Sequence, residues 1–422
     1  MEPPAALKHP GFRSLWLAGL VSDAGDWMLF IALPIVVYGM TGSALGTSFA
    51  FLAELAPGIV LAPVAGRLAD RLDRRRLMLT LTALQALSLP ALLLVHGSHG
   101  LAIVYAVILV QAALSALFDP AKNALLPTLV PATELVSANS LVALNNGLGR
   151  LVGGPLGGLL LAAGDLRTIV VADAVSFGAA AWLIARVPSS TPAPKLPSGV
   201  DRGPSSPRGF LAVLRQPRVR IGLAIAFVAE IAQGIFLVLF IVFVARRLHG
   251  GSSEIGLLRG IQAVGAIGGG LILTALARGR SPASLIAGAA IAFGVIDLTI
   301  WNAPMLTVAT GIYVVLFVVV GAPGVVLETG LISHLQLAGR DGERGRIFGA
   351  LGLVGNAGEA VGMIAAGVLT VPLGLTTLLD AQGLLYLLAG ALAARWPVRP
   401  SPKHESGPLG QYELIATPEA RD

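Results

Sequence analysis

The sequence predicts an all-α membrane protein whose twelve transmembrane helices form two pseudo-symmetric six-helix bundles. Three observations predict it: the scarcity of charge, the grouping of apolar residues into helix-length runs, and an echo of the first half in the second. Hydrophobic residues make up 55% of the 422 and charged residues only 12%, with mean hydropathy +0.81. A water-soluble chain of this length needs far more charge to coat its surface, so lipid covers much of this one.

A bilayer crossing takes about 20 mostly apolar residues. The first such run, 12–40, follows a short polar stretch with no small-residue cleavage site after it, and reads as a retained helix rather than a signal peptide. Thr41-Gly42 separates it from 43–66, a link short enough to force antiparallel neighbours. The arginines at 67–76 stop the second run, 76–96 follows them, and Gly97 to His99 turns the chain into 100–118. Two further runs, 137–163 and 167–186, complete six. Val187 to Gly209 is then rich in Pro, Ser and Gly and polar, as a flexible linker is. Six more runs follow at 219–245, 253–277, 283–302, 305–328, 346–370 and 374–396, and the chain after Trp396 is polar and proline-bearing. The domain plan is therefore an N-terminal bundle over 1–186, a cytoplasmic linker over 187–218, a C-terminal bundle over 219–396 and a cytoplasmic tail over 397–422.

Basic residues orient the plan. All 29 Lys and Arg residues except Arg150, Arg167, Arg246, Arg247 and Arg259 fall in segments on the same side as the two termini. Such segments face the cytoplasm, so a multi-pass protein of the cell membrane with both ends inside is expected. The charge of +6 and pI near 10 therefore report topology and not a nucleic-acid partner. With no cysteine in the chain, disulfides, thiolate chemistry and cysteine-based metal sites are excluded.

The halves align. Arg13 to Leu33 matches Arg220 to Phe240, which sets Asp23 against Glu230 and Asp26 against Gln233. Thr41-Gly42-Ser43 matches Gly251-Ser252-Ser253, Gly149 to Gly153 matches Gly358 to Gly362, and Asp173-Ala174 matches Asp380-Ala381. The common order of these weak matches implies a duplicated six-helix unit, which is how many transporters build a central site between two moving halves.

Two motifs carry more. Gly66-Arg67-Leu68-Ala69-Asp70-Arg71-Leu72-Asp73-Arg74-Arg75-Arg76 fits a tight cytoplasmic turn, its acid paired by arginine or by a helix end. Simple anchoring by positive charge would also place arginines here. Gly153-Gly154-Pro155-Leu156-Gly157-Gly158 makes a pliable, closely packed helix, although general glycine packing gives the same pattern. The first motif resembles the one between helices 2 and 3 of the major facilitator superfamily, with Gly66, Asp70, Arg71, Arg74 and Arg75 on the family spacing. By that resemblance, Asp70 and its arginines latch the inner gate. Gly154, Pro155, Gly157 and Gly158 resemble the span 5 signature of the family's exporters and antiporters, with Arg150 where an earlier glycine often stands. Phe12-Arg13-Ser14-Leu15-Trp16, Gly25-Asp26-Trp27, Ala32-Leu33-Pro34, Asn123 to Pro127 and Ala138-Asn139 resemble the branch of the enterobactin exporter and macrolide efflux pumps. The arginine many proton-driven drug antiporters carry in span 4 is Ile108 here.

A charge at mid-bilayer costs roughly 2.5–3.5 kcal/mol on insertion scales, so each needs a reason. The candidates for substrate or ion coupling are Asp23, Asp26, Glu54, Glu230, Arg150 and Glu359. Asp23 and Asp26 share a helix face, and their mutual repulsion favours reversible proton uptake by one of them. The resemblance places spans 1, 4, 7 and 10 around a central cavity, with Asp23, Asp26 and Glu230 facing it; hydrogen bonding to neighbouring helices is the structural alternative. Arg150 is expected to pair with Glu359 or Glu54, either across the seam between halves or statically within one bundle. Asp173, Asp297 and Asp380 fall on peripheral spans and are expected to pack against neighbours, and Glu328 and His334 sit near the inner end of span 10 without a transport role. Phe30, Phe118, Phe227, Phe236 and Phe240 could offer apolar contacts to cargo or pack the core.

The expected function is export of a small amphipathic organic molecule by alternating access, with protons as coupling ion in antiport. Uptake or lipid flipping on the same fold is the alternative. No metal-ligand spacing, phosphate-cradling loop or cofactor site is visible, and His96, His99 and His249 lack the partners an enzyme would need. A monomer acting without cofactor or nucleic acid, in contact only with cargo, protons and lipid, is expected.

Overall fold

In the computed structural model, residues 5–96, 99–188, 216–276, 281–338 and 343–396 are described. Residues 217–218 of the linker expected over 187–218 already belong to a helix, and its stretch 189–215 and the tail over 397–422 lie outside the described residues. Within them the chain forms twelve long helices and no strand. In order these are α1 (Pro10–Thr41), α2 (Ala44–Arg71), α3 (Arg74–Ser88), α4 (Gly100–Leu125), α5 (Leu135–Ala163) and α6 (Leu166–Ile184). Then follow α7 (Pro217–Arg247), α8 (Ser252–Leu276), α9 (Pro282–Asn302), α10 (Thr310–Ala338), α11 (Arg344–Leu373) and α12 (Leu375–Ala394).

Local chemistry sets the boundaries. Pro10 and Pro217 stand in the first turns of α1 and α7, where a missing N–H costs nothing. Gly42 takes left-handed φ at 60°, and the Ser43 hydroxyl then accepts from Leu45 N (3.2 Å) and Gly46 N (3.4 Å), so the two-residue turn both ends α1 and caps α2. Asp73 and Asp165 cap α3 and α6 in the same way, accepting from Arg76 N at 2.7 Å and Arg167 N at 2.8 Å.

Four expected spans shift: the second runs past 66 to Arg71, so Gly66, Asp70 and Arg71 are helical and only Leu72-Asp73 turns the chain before Arg74. Span 76–96 is α3 followed by a 3₁₀ turn over Leu89–Leu94 that opens at Pro90. The fourth helix runs past 118 to Leu125, carrying Pro120 inside it, so Asp119 and Lys122 are helical residues and not part of a loop. The tenth begins at Thr310 and reaches Ala338, which places Glu328 well inside a helix. In the fourth and tenth helices the polar residues at which the apolar run ends line a cavity.

Packing repeats with the duplication. The pairs α1/α5, α1/α6, α2/α4, α3/α4 and α3/α6 are matched by α7/α11, α7/α12, α8/α10, α9/α10 and α9/α12. The register repeats too. A Cβ at Gly149 would press on Asp23 and one at Gly153 on Ala24; the counterparts at Gly358 and Gly362 would press on Glu230 and Ile231. The glycines thus set the same close approach of α5 on α1 and of α11 on α7, one duplicated contact used twice.

The halves meet through α5/α8 and α2/α11. Gly154 and Gly158 of α5 face Gly256 and Gly260 of α8, with the Pro155 ring against Gly260. Ser48 Oγ donates to Met363 O at 2.6 Å. These contacts lie towards the end of the bundle that carries the short turns at Gly42, Gly164 and Gly374. There Arg246 reaches across the seam, its Nε donating to Tyr38 Oη and its Nη2 to Gly42 O, both at 2.9 Å. Hydrophobic clustering agrees: a core at this end joins Ile31, Ala44 and Phe51 to Ile235, Phe236 and Phe240. At the opposite, arginine-rich end the clusters stay within one half: Leu15, Met78 and Leu125 in one, Val219, Leu335 and Trp396 in the other. The halves are sealed at the short-turn end and part towards the arginine-rich end.

Candidate functional site

Each half encloses a cavity. The first, about 430 Å³, opens among α1, α2, α3 and α4 and is lined by Asp23, Asp26, Glu54, Gln85, Asp119 and Lys122 with an aromatic wall of Trp27, Phe30, Phe51 and Phe118. The second, about 480 Å³, lies among α7, α8, α10 and α11 and is lined by Glu230, Gln233, Arg259, Glu328, Glu359 and Tyr386, with Arg150 entering from the other half. All six residues singled out as coupling candidates therefore line one cavity or the other. Trp27 joins the two: it walls the first cavity and lies under Arg150, whose guanidinium carbon is 5.9 Å from the ring centroid.

Backbone design explains their reach. Asp23 and Asp26 stand one turn apart on α1 beside Ser22, whose hydroxyl lies 3.4 Å from Asp26 Oδ2. Polar partners continue along one wall: Gln85 donates to Ser115 Oγ at 3.1 Å, and Gln111 to Ser88 Oγ at 3.1 Å. In the second cavity the equivalent of Asp26 is Gln233, which accepts from Tyr386 Oη at 3.5 Å. Duplication has thus kept the geometry while exchanging acid for amide.

Arg150 forms no ion pair with Glu359 or Glu54 in this arrangement. Arg150, Arg259, Glu328 and Glu359 share the walls of the second cavity. Glu54 walls the first cavity instead of the seam. Asp70 is exposed and has no ion pair among the described residues, while its neighbouring arginines serve helix ends. Arg74 donates to Ala69 O (3.4 Å) and Ala124 O (3.0 Å), and Arg75 to Ala185 O, so cations cap the carbonyl termini of α2, α4 and α6.

The peripheral acids behave as expected. Asp297 accepts from Gln382 at 2.7 Å, which in turn accepts from Trp301 Nε1 at 2.8 Å, and Asp380 accepts from Asn302 at 2.8 Å. Asp173 accepts from Ser176 Oγ at 2.9 Å and sits against Gly25 of α1. His334 is buried, its ring 4.1 Å from that of Trp396. Phe30, Phe118 and Phe236 line cavities, Phe240 joins the seal with Phe30 and Phe51, and Phe227 lines neither cavity.

Sequence reasoning missed four charged wall residues: Lys122 and its partner Asp119, 2.8 Å apart, Arg259 and Glu328. Arg259 was findable as a charge inside an apolar run; the other three were hidden by helices that extend past their apolar stretch. Among the described residues no group of three His, Cys, Asp or Glu side chains is placed to hold a metal.

Known proteins share this build. A family model described as transmembrane secretion effector matches residues 1–416. The multidrug efflux pump Tap of Mycolicibacterium fortuitum is 29% identical over 401 residues, covering 90% of this chain and 94% of that protein. An uncharacterized MFS-type transporter, YfiS of Bacillus subtilis strain 168, is 26% identical over 409 residues, covering 93% and 94%. Macrolide efflux protein A of Streptococcus pyogenes is 27% identical over 214 residues, about half of each chain at 49% and 51%. A bacterial homologue of the iron transporter ferroportin, solved facing inward, superposes with TM-score 0.71 at 18% identity over 91% of this chain and 98% of that one. Its outward-facing form gives 0.60 at the same identity and coverage.

Proposed function

The chain belongs to the transmembrane secretion effector family of major facilitator transporters, and from that premise we propose that it exports a small amphipathic organic molecule by proton-coupled antiport. One observation carries the reading: both cavities are walled by ionisable side chains and aromatic rings, and the halves around them are sealed at one end only. A passage open at one end and closed at the other is one state of alternating access.

The positive-inside bias assigns the open, arginine-rich end to the cytoplasm, so cargo enters from inside. The better superposition on an inward-facing neighbour supports the same state. The aromatic wall of Trp27, Phe30 and Phe51 suits an apolar body, and the names of the efflux relatives favour export over uptake. Asp23 and Asp26 are the proton carriers: they share a helix face in a cavity that reaches water through the open end, and closing that end would force a buried pair of charges apart or neutral.

Purified protein in proteoliposomes, loaded with a fluorescent amphipathic drug and given an imposed pH gradient, tests this. Movement of the drug against its own gradient only while protons flow the other way is the expected result. Equilibration that ignores the pH gradient would refute antiport, and gradient-driven movement alongside protons would refute export in favour of uptake.

A further inference from the structure

Arg150 and Arg259 come from opposite halves and are brought together by the α5/α8 seam. The two helix backbones touch there, with a Cβ at Gly260 lying only 3.2 Å from Arg150 O. Each guanidinium is braced by a ring from the helix that lines its own half: Arg150 over Trp27 at 5.9 Å and Arg259 over Phe236 at 4.9 Å. Both open on the second cavity.

Neither cation has a carboxylate within ion-pair distance among the described residues. Arg259 is 7% exposed and donates to one acceptor, Gln262 Oε1 at 2.9 Å, out of the five N–H groups it carries. Arg150 Nε is buried and donates to none. A buried donor without an acceptor costs roughly 1–3 kcal/mol, and two adjacent like charges repel, so the pair is stabilised by an anion that accepts from both. Planar forks of this kind suit carboxylate, sulfonate or phosphate oxygens better than an ammonium would.

We propose that Arg150 and Arg259 form the binding site for the acidic group of an amphipathic cargo that carries a single negative charge. Calling the ligand a cargo rests on the export reading above; the anion site itself does not. Glu230, Glu328 and Glu359 stand on the other walls of the same cavity. None of the three pairs with either arginine, and together they penalise a second negative charge on the ligand. Because the two arginines belong to different halves, the bound acidic group also bridges the seam.

Binding in phosphatidylcholine nanodiscs tests this, with fluorescence of empty nanodiscs subtracted. The probes are 8-anilino-1-naphthalenesulfonate and N-phenyl-1-naphthylamine, which share a ring system and differ by the sulfonate. The wild-type protein is expected to bind the sulfonate at least tenfold more tightly than the uncharged amine. Arg150→Gln and Arg259→Gln should each weaken the sulfonate at least tenfold while moving the amine less than twofold, and 1,5-naphthalenedisulfonate should compete less well than 1-naphthalenesulfonate. Equal affinity of the wild type for both probes overturns the site whether or not the variants fold, as does an equal loss of both probes in folded variants. A disulfonate that competes as well as the monosulfonate overturns the single-charge limit. No transport is needed for any of these readings, so a protein that binds as expected and fails to export would sink the export reading alone.

Discussion

Replacing Gly158 with alanine puts one methyl group into the seam. The new Cβ would collide with Ser252 O and lie 2.9 Å from Gly256 Cα and 3.1 Å from Gly256 N. All three are backbone atoms of the other half, and none can swing aside as a side chain would. Relief must come from separating α5 and α8. Overpacking of this sort costs about 1–3 kcal/mol. Alanine also favours the helix over glycine by up to about 1 kcal/mol, but α5 is helical in both states, so that gain cancels from their ratio. The strain is felt only where the short-turn end is sealed, and it tilts the equilibrium towards the alternate state by about five- to 150-fold. The native chain has no cysteine, so spin labels at Leu72→Cys and Gly345→Cys, both exposed at the arginine-rich end, report the separation without background. The short-distance population is expected to grow in Gly158→Ala. An unchanged distance distribution in the folded variant would refute the reasoning, because the seam would then be equally tight in both states.

Other outcomes follow from the same geometry. Arg246→Ala removes two exposed hydrogen bonds that cross the seam to Tyr38 and Gly42; at about 0.5–1 kcal/mol in total after solvent screening, external thiol labelling of Phe30→Cys should rise two- to fivefold. Asp23→Asn with Asp26→Asn should abolish export driven by a pH gradient and leave binding of the uncharged naphthylamine intact; undiminished gradient-driven export would remove both acids from the mechanism. Gln382→Leu cuts the chain from Trp301 to Asp297 and strands two buried groups. It should lower the unfolding midpoint by several degrees with no change in probe affinity, and a changed affinity at an unchanged midpoint would contradict a purely structural role.

Much of the fold was legible because the membrane imposes it. Apolar run length, arginine placement and the order of repeated glycines each survive without any knowledge of contacts, and the pairing of Asp23 with Glu230 through Gly149 and Gly358 reappears as the same packing contact in both halves. What failed did so for one physical reason. Helix ends were placed where hydropathy fell, yet a helix lining a wet cavity can carry charge into its last turns. Asp119, Lys122 and Glu328 were therefore left in loops or at interfaces and lost to the site. The acids of the site were readable as expensive charges. The contacts of its cations were not, since Arg150 lies over Trp27 and Arg259 over Phe236, and neither contact has a sequence signal.

Among the described residues ten helices are long and apolar enough to cross a bilayer unaided, and α5, rich in glycine and carrying Asn145, Asn146 and Arg150, is not one of them. Its partner along the seam is α8. Gly154 and Gly158 of α5 and Gly256 and Gly260 of α8, positions that make poor contact with lipid chains, are the ones each presents to the other. During synthesis α5 emerges long before its partner and must sit in the bilayer with that face unmet. Packing against the eighth helix completes its embedding, so forming the seam between the halves is also a step of assembly, and a truncated first half is expected to be a poor membrane protein on its own.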